Sequence, residues 1–190
     1  MIMRNTLLFA LSLLSLFVQQ AVAEVKHISD HGFIIENTIK TDASIEDAWL
    51  GLTKHVDKWW PKDHSWWYGT FSIEDWAGGC FCEVNDKQTA EHMRIVFVDP
   101  HKVLRMTGGL GPLQGMGMNG ALNWNFSELE DGATQVVLTY SVTGINPDGF
   151  EQLAPIVDQV QGIQLNGLAS YLENNKPSSH GAKRLIPEQQ

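Results

Sequence analysis

The chain has 190 residues, 43% of them hydrophobic, and carries 22 acidic against 13 basic side chains, a formal net charge of −9. An acidic surface repels phosphate backbones, which argues against a nucleic-acid partner, and no basic amphipathic stretch suits an anionic lipid surface. The length fits one domain with its own core, and no internal repeat is visible.

Residues 1–23 read as a secretory signal peptide. Arg4 supplies a positive start, residues 7–18 (LLFALSLLSLFV) an apolar core, and Ala21-Val22-Ala23 a small-x-small cleavage pattern. That core is roughly a dozen residues, where a membrane span takes about 20. Cleavage after Ala23 removes one basic residue, leaving 12 basic minus 22 acidic, or −10. The expected mature protein is periplasmic or secreted, with a single domain over 24–174 and a loose, polar tail over 175–190.

The first strand is expected over 32–40, where Phe33, Ile35 and Ile39 alternate with polar residues. Ser44, with Asp47 three residues on, is a helix N-cap. Ile45, Ala48, Trp49 and Leu52 form one face of a first short helix, and Val56, Trp59 and Trp60 a second that Pro61 stops. Strands follow over 68–74, 80–85, 92–98 and 102–107, then a hairpin of 118–129 and 134–143 across Glu130-Asp131-Gly132. In that hairpin Leu122, Trp124 and Phe126 face one way, with Leu138 and Tyr140 opposite, as in an antiparallel sheet covered on one side. A long helix over 150–173 closes the chain. Leu153, Ile156, Val157, Val160, Gln164, Gly167, Leu168 and Tyr171 share one stripe of it. Gln164 and Gly167 interrupt that apolar stripe, which fits either a core amide with close helix packing or a cavity beneath.

This order resembles the SRPBCC superfamily, also called START or helix-grip proteins. The residues that carry the resemblance are 39–49 (IKTDASIEDAW), 78–83 (GGCFCE), 96–100 (VFVDP), 108–114 (GGLGPLQ) and 138–144 (LTYSVTG). The branch is similar to polyketide cyclase-like proteins and to proteins grouped with the activator of a heat-shock-protein ATPase. The resemblance implies an α+β helix-grip fold: a curved antiparallel sheet of about six or seven strands wrapped around the C-terminal helix. It also implies a cavity between sheet and helix for a small apolar ligand.

Several residues are candidates for chemistry. Trp59, Trp60, Trp66 and Trp67 lie within nine residues, and each either packs in the core or stacks on a ligand at a cavity mouth. Cys80 and Cys82 sit at i and i+2, roughly 6.5–7 Å apart on an extended strand, at the edge of a disulfide's reach. Two buried free thiols are expected; a bulge closing the pair, or a redox site, is the other reading, and zinc lacks further ligands. Glu83, His92 and Arg105 lie on neighbouring strands and would serve as an acid/base set if inward-facing. The alternation of Met93, Ile95 and Phe97 instead sends His92 and Arg94 outward. The loop over 108–117 (GGLGPLQGMG), bearing Leu113, Met116 and Met118, reads as a lid or as a passive crossing.

The expected function is an exported binding protein. A hydrophobic or aromatic molecule would contact Trp66, Trp67, Leu113, Met116, Met118, Trp124, Tyr140, Gln164, Gly167 and Tyr171. No cofactor, metal or nucleic-acid partner is expected. The alternatives are a cyclase- or dehydratase-type enzyme using His92, Glu83 or Arg105 and, more weakly, a protein-interaction module.

Overall fold

The computed structural model describes residues 22–175. The segment read as a signal peptide, apart from its last two residues, and the expected tail after 175 lie outside the described residues. Eight strands form one antiparallel sheet, in the order β1 (Val22–Ser29), β2 (Gly32–Thr41), β8 (Thr134–Thr143), β7 (Asn119–Glu128), β6 (Val103–Thr107), β5 (Gln88–Asp99), β4 (Cys80–Asn85), β3 (Thr70–Ile73). The 22-residue helix α3 (Leu153–Asn174) packs against β2, β1 and α1 (Ile45–Trp59). This is the helix-grip fold.

The hairpin β7–β8 behaves as its alternation demands. Leu122, Trp124, Phe126, Val136, Leu138, Tyr140 and Val142 are all buried on one face. Ser44 caps α1 by accepting the Asp47 N–H at 3.1 Å. The two expected short helices are one helix broken at His55, whose φ/ψ of −124°/16° is not helical. A single 3-10 turn at Lys62–His64 follows.

The strand count is corrected by β1, which the hydrophobic pattern does not announce. Of its described side chains only Val25 and Ile28 pack on the core, and a bulge between Val25 and His27 breaks the two-residue period. Asp158 on α3 ties this edge down. Its carboxylate accepts from Asn37 Nδ2 at 2.8 Å and from the Glu24 backbone N–H. Burial pushes the Asp158 pKa above the usual carboxylate range, with Asn37 opposing the rise.

Two expectations about particular residues are overturned. Gly167 does not line a cavity: a Cβ there would lie 2.7 Å from the Trp59 carbonyl oxygen. Its missing side chain lets α3 cross α1 closely, and Gly51 does the same from the other side, against Leu168 and Leu172. Nor are Cys80 and Cys82 free thiols. They form a disulfide with a Cα–Cα distance of 5.5 Å, beside a register shift between Phe81 and Cys82. Both cysteines are half-buried, whereas Phe81 and Glu83 turn inward.

Two measurements follow from this packing. Gly167→Ala should be destabilising by roughly 1–3 kcal/mol through overpacking, although alanine alone gains about 0.8–1 kcal/mol in a helix. A thermal melt of equal or higher midpoint would contradict the close crossing. Alkylation of the unfolded protein should modify neither cysteine without reductant and both with it. A modified thiol in the unreduced sample would remove the disulfide.

Candidate functional site

A cavity of about 340 Å³ lies among the first half of α3, the segment 60–66, His92 on β5, and the loop 110–116. Leu153, Val157 and Val160 face it from α3, Leu110 and Leu113 from the loop, and Trp60 from the end of α1. Trp66, Met116 and Ile156 stand at its rim with exposures of 48%, 45% and 58%. The apolar stripe of α3 is thus divided. Its N-terminal half walls the cavity, and its C-terminal half packs on α1.

The loop over the cavity is pinned rather than loose. Gly111, at φ 59°, turns the chain so that Pro112 opens the single turn α2 (Pro112–Gly115). Tyr140 is buried beneath it; its hydroxyl donates to the Gly108 carbonyl at 2.9 Å and accepts the Leu110 N–H at 3.0 Å. Burial pushes the Tyr140 pKa up to about 12, so the hydroxyl keeps its proton for the first of these bonds. Gln114 Nε2 adds a bond to the Glu91 carbonyl.

Glu83 organises the opposite wall. Its carboxylate is fully buried and accepts from Ser65 Oγ at 2.7 Å and from the backbone N–H groups of Trp66, Trp67 and Gly69, each at 3.0 Å. Burial opposes ionisation, but these bonds outweigh it and hold the pKa at about 2. His92 Nε2 lies 3.2 Å from the same carboxylate. The imidazole packs against the rings of Phe71 and Phe81, at centroid distances of 5.5 and 5.2 Å. Burial lowers the His92 pKa, and Glu83 only partly restores it, so the ring is neutral near pH 7. An ionised carboxylate can only accept. The proton of neutral His92 therefore sits on Nε2, leaving the lone pair on Nδ1.

Alternation had sent His92 outward; the structure buries it, with 4% exposure. Phe81 pairs with Met93 and Cys82 with Glu91, so His92 is the extra residue of a bulge and turns inward beside Met93. A second irregularity, between Ile95 and Phe97, leaves Phe97 exposed where alternation had placed it inside. Arg105 is not in the site. It lies on the outer face, donating from Nε to Asn123 Oδ1 and lying over the Phe97 ring.

Of the expected ligand contacts, Trp66, Leu113, Met116 and Gln164 meet at the cavity. Trp67 contributes its backbone N–H to Glu83 and lies outside the lining. Trp124 is in the core, edge-on to Trp59, and Met118 packs where Gly144 approaches it. Tyr140 positions the covering loop, Gly167 meets Trp59, and Tyr171 lies beside the His55 ring in a separate, smaller pocket. Gln164 Nε2 donates to His64 Nδ1 at 3.4 Å. Gln161 also lines the cavity, and its position one turn before Leu165 is the signal for it in the sequence. The Oε1 atoms of Gln161 and Gln164 are buried without a hydrogen-bond partner among the described residues. Those residues contain no cluster of three or more metal-ligating side chains, and no helix long and apolar enough to cross a membrane.

No protein-family model matches the chain, and no curated protein does. Solved structures do. A conserved protein of unknown function from Enterococcus faecalis, EF2215, is 15% identical with a TM-score of 0.56, over 88% of this chain and 82% of its own. CalU16 from Micromonospora echinospora is 16% identical with a TM-score of 0.51, over 82% and 86%. Ara h 8.0201 is 15% identical with a TM-score of 0.52, over 75% and 98%. These likenesses establish the shared helix-grip fold.

The Glu83 cluster has a measurable pH signature. Because its folded pKa is depressed, the stabilisation is complete above the unfolded value near 4.5 and is lost as pH falls toward 2. The full loss should be on the order of 3 kcal/mol, of which about 2 kcal/mol is reached by pH 3. Denaturant titrations at pH 6 and pH 3 should show it, and in Glu83→Gln the slope over this window should be smaller. An unchanged slope in that variant would mean Glu83 is not the titrating group.

Proposed function

We propose that the protein is an exported carrier or receptor for a small hydrophobic or aromatic molecule, held between α3 and the loop 110–116. The observation that carries this reading is the cavity itself: about 340 Å³, walled mainly by apolar side chains and rimmed by exposed Trp66, Met116 and Ile156. Pockets of a few hundred Å³ with few convergent polar groups suit small organic ligands. Export is supported by the leader pattern of residues 1–23 and by the Cys80–Cys82 disulfide, since such bonds persist in oxidising compartments. The inward Glu83–His92 pair favours a second reading, an acid/base enzyme acting on the same ligand, in which Arg105 has no part.

A cavity-filling substitution tests the carrier reading. Val160→Trp should lower the affinity for an environment-sensitive apolar dye at least tenfold while the protein stays folded. Ile163→Trp, at an exposed position of α3 outside the cavity, should bind as the parent does. Equal affinity in the two variants would move the ligand elsewhere.

A further inference from the structure

The polar atoms of the cavity wall are unequally engaged. Three nearby donors are already used inside the protein, Trp60 Nε1 on the His64 carbonyl, Ser65 Oγ on Glu83 and Gln164 Nε2 on His64 Nδ1. Acceptors remain: the buried Oε1 atoms of Gln161 and Gln164 have no partner among the described residues, and Glu83 fixes His92 in the tautomer whose Nδ1 bears the lone pair. A buried acceptor left unmet is costly, so a site of this kind favours a ligand that brings the donor.

We propose that His92, oriented by Glu83, is the specificity-determining residue of the cavity, and that Nδ1 accepts the hydroxyl proton of an aromatic alcohol of the phenol or naphthol type in a hydrogen bond. The inference rests on the carrier reading and narrows its ligand class. The aromatic half of the ligand is met by Trp60 and Leu113, and its hydroxyl by His92 on the wall that the bulge of β5 has turned inward. A methyl ether of the same ring system fills the same space but cannot donate. Near neutral pH a phenol-type hydroxyl still holds its proton, so it meets Nδ1 as a donor. A carboxylic acid would arrive ionised, as an acceptor facing acceptors, and is disfavoured.

The test compares 1-naphthol with 1-methoxynaphthalene by fluorescence titration of the purified full protein at pH 7.5. The parent should prefer 1-naphthol by about five- to tenfold, the net effect of one hydrogen bond. In His92→Phe, which keeps an aromatic ring against Phe71 and Phe81, the ratio should fall to about one while 1-methoxynaphthalene still binds. A ratio near one in the parent, or a preference that survives His92→Phe, would overturn the assignment. Failure of both probes to bind would sink the carrier reading itself, a different pattern. Imidazole 15N shifts of the parent decide the matter if the variant does not fold. They should show the His92 proton on Nε2 and a shift of the Nδ1 signal on adding 1-naphthol but not the ether; a proton on Nδ1, or no such shift, rejects the proposal.

Discussion

The buried carboxylate of Glu83 is the constraint on which the cavity depends. An ionised group taken wholly out of water costs several kcal/mol unless its lone pairs are met. Here Ser65 and three backbone N–H groups between Trp66 and Gly69 meet them. Those bonds shape the segment after α1 that would otherwise be an irregular, tryptophan-rich connection. They also place Trp66 at the rim of the cavity. The same carboxylate orients His92, so one buried charge fixes both a loop and a ring nitrogen.

Tyr140 plays the matching part on the opposite side. A phenol buried in β8 spends its donor and an acceptor on the backbone of 108–110, and so holds the glycine-rich segment over the cavity. The void is therefore bounded by two polar anchors, each satisfied internally, while most of its lining is apolar. Such a void avoids collapse because the elements around it are held elsewhere: α3 presses on α1 at Gly51 and Gly167 and is tied to β2 through Asp158 and Asn37. The cavity end of the helix can then stand over open space while its other end is close-packed.

The sheet irregularities decide which side chains reach the site. On an ideal β5, Met93 and Ile95 would face inward and His92 outward. The one extra residue opposite Phe81 and Cys82 puts His92 and Met93 together inside. The disulfide lies at the same register shift, on the strand facing that bulge, where the shortened Cα–Cα distance makes the cross-link possible. Both departures from the expected pattern lie at this one point of the sheet.

Local pattern alone was enough for much of the architecture. The alternation of β2, β7 and β8, the Ser44 cap, the stop at Pro61 and the apolar stripe of α3 each follow from a few neighbouring residues, and so were legible in the sequence. So were Trp66, Leu113, Met116 and Gln164, because a rim, a covering loop and a helix face have recognisable compositions. Tertiary structure decided the rest. β1 forms because β2 and Asp158 give its backbone partners, not because its side chains alternate. Gly167 and Tyr171 share the stripe of Gln164 but meet α1 rather than the cavity, since a helix face does not say where along its length the partner changes. Tyr140 and Trp124 face inward as expected, yet whether inward means core or cavity is set by what packs above them. His92 was hidden because a bulge is a property of two paired strands, and the parity of one strand read by itself cannot contain it.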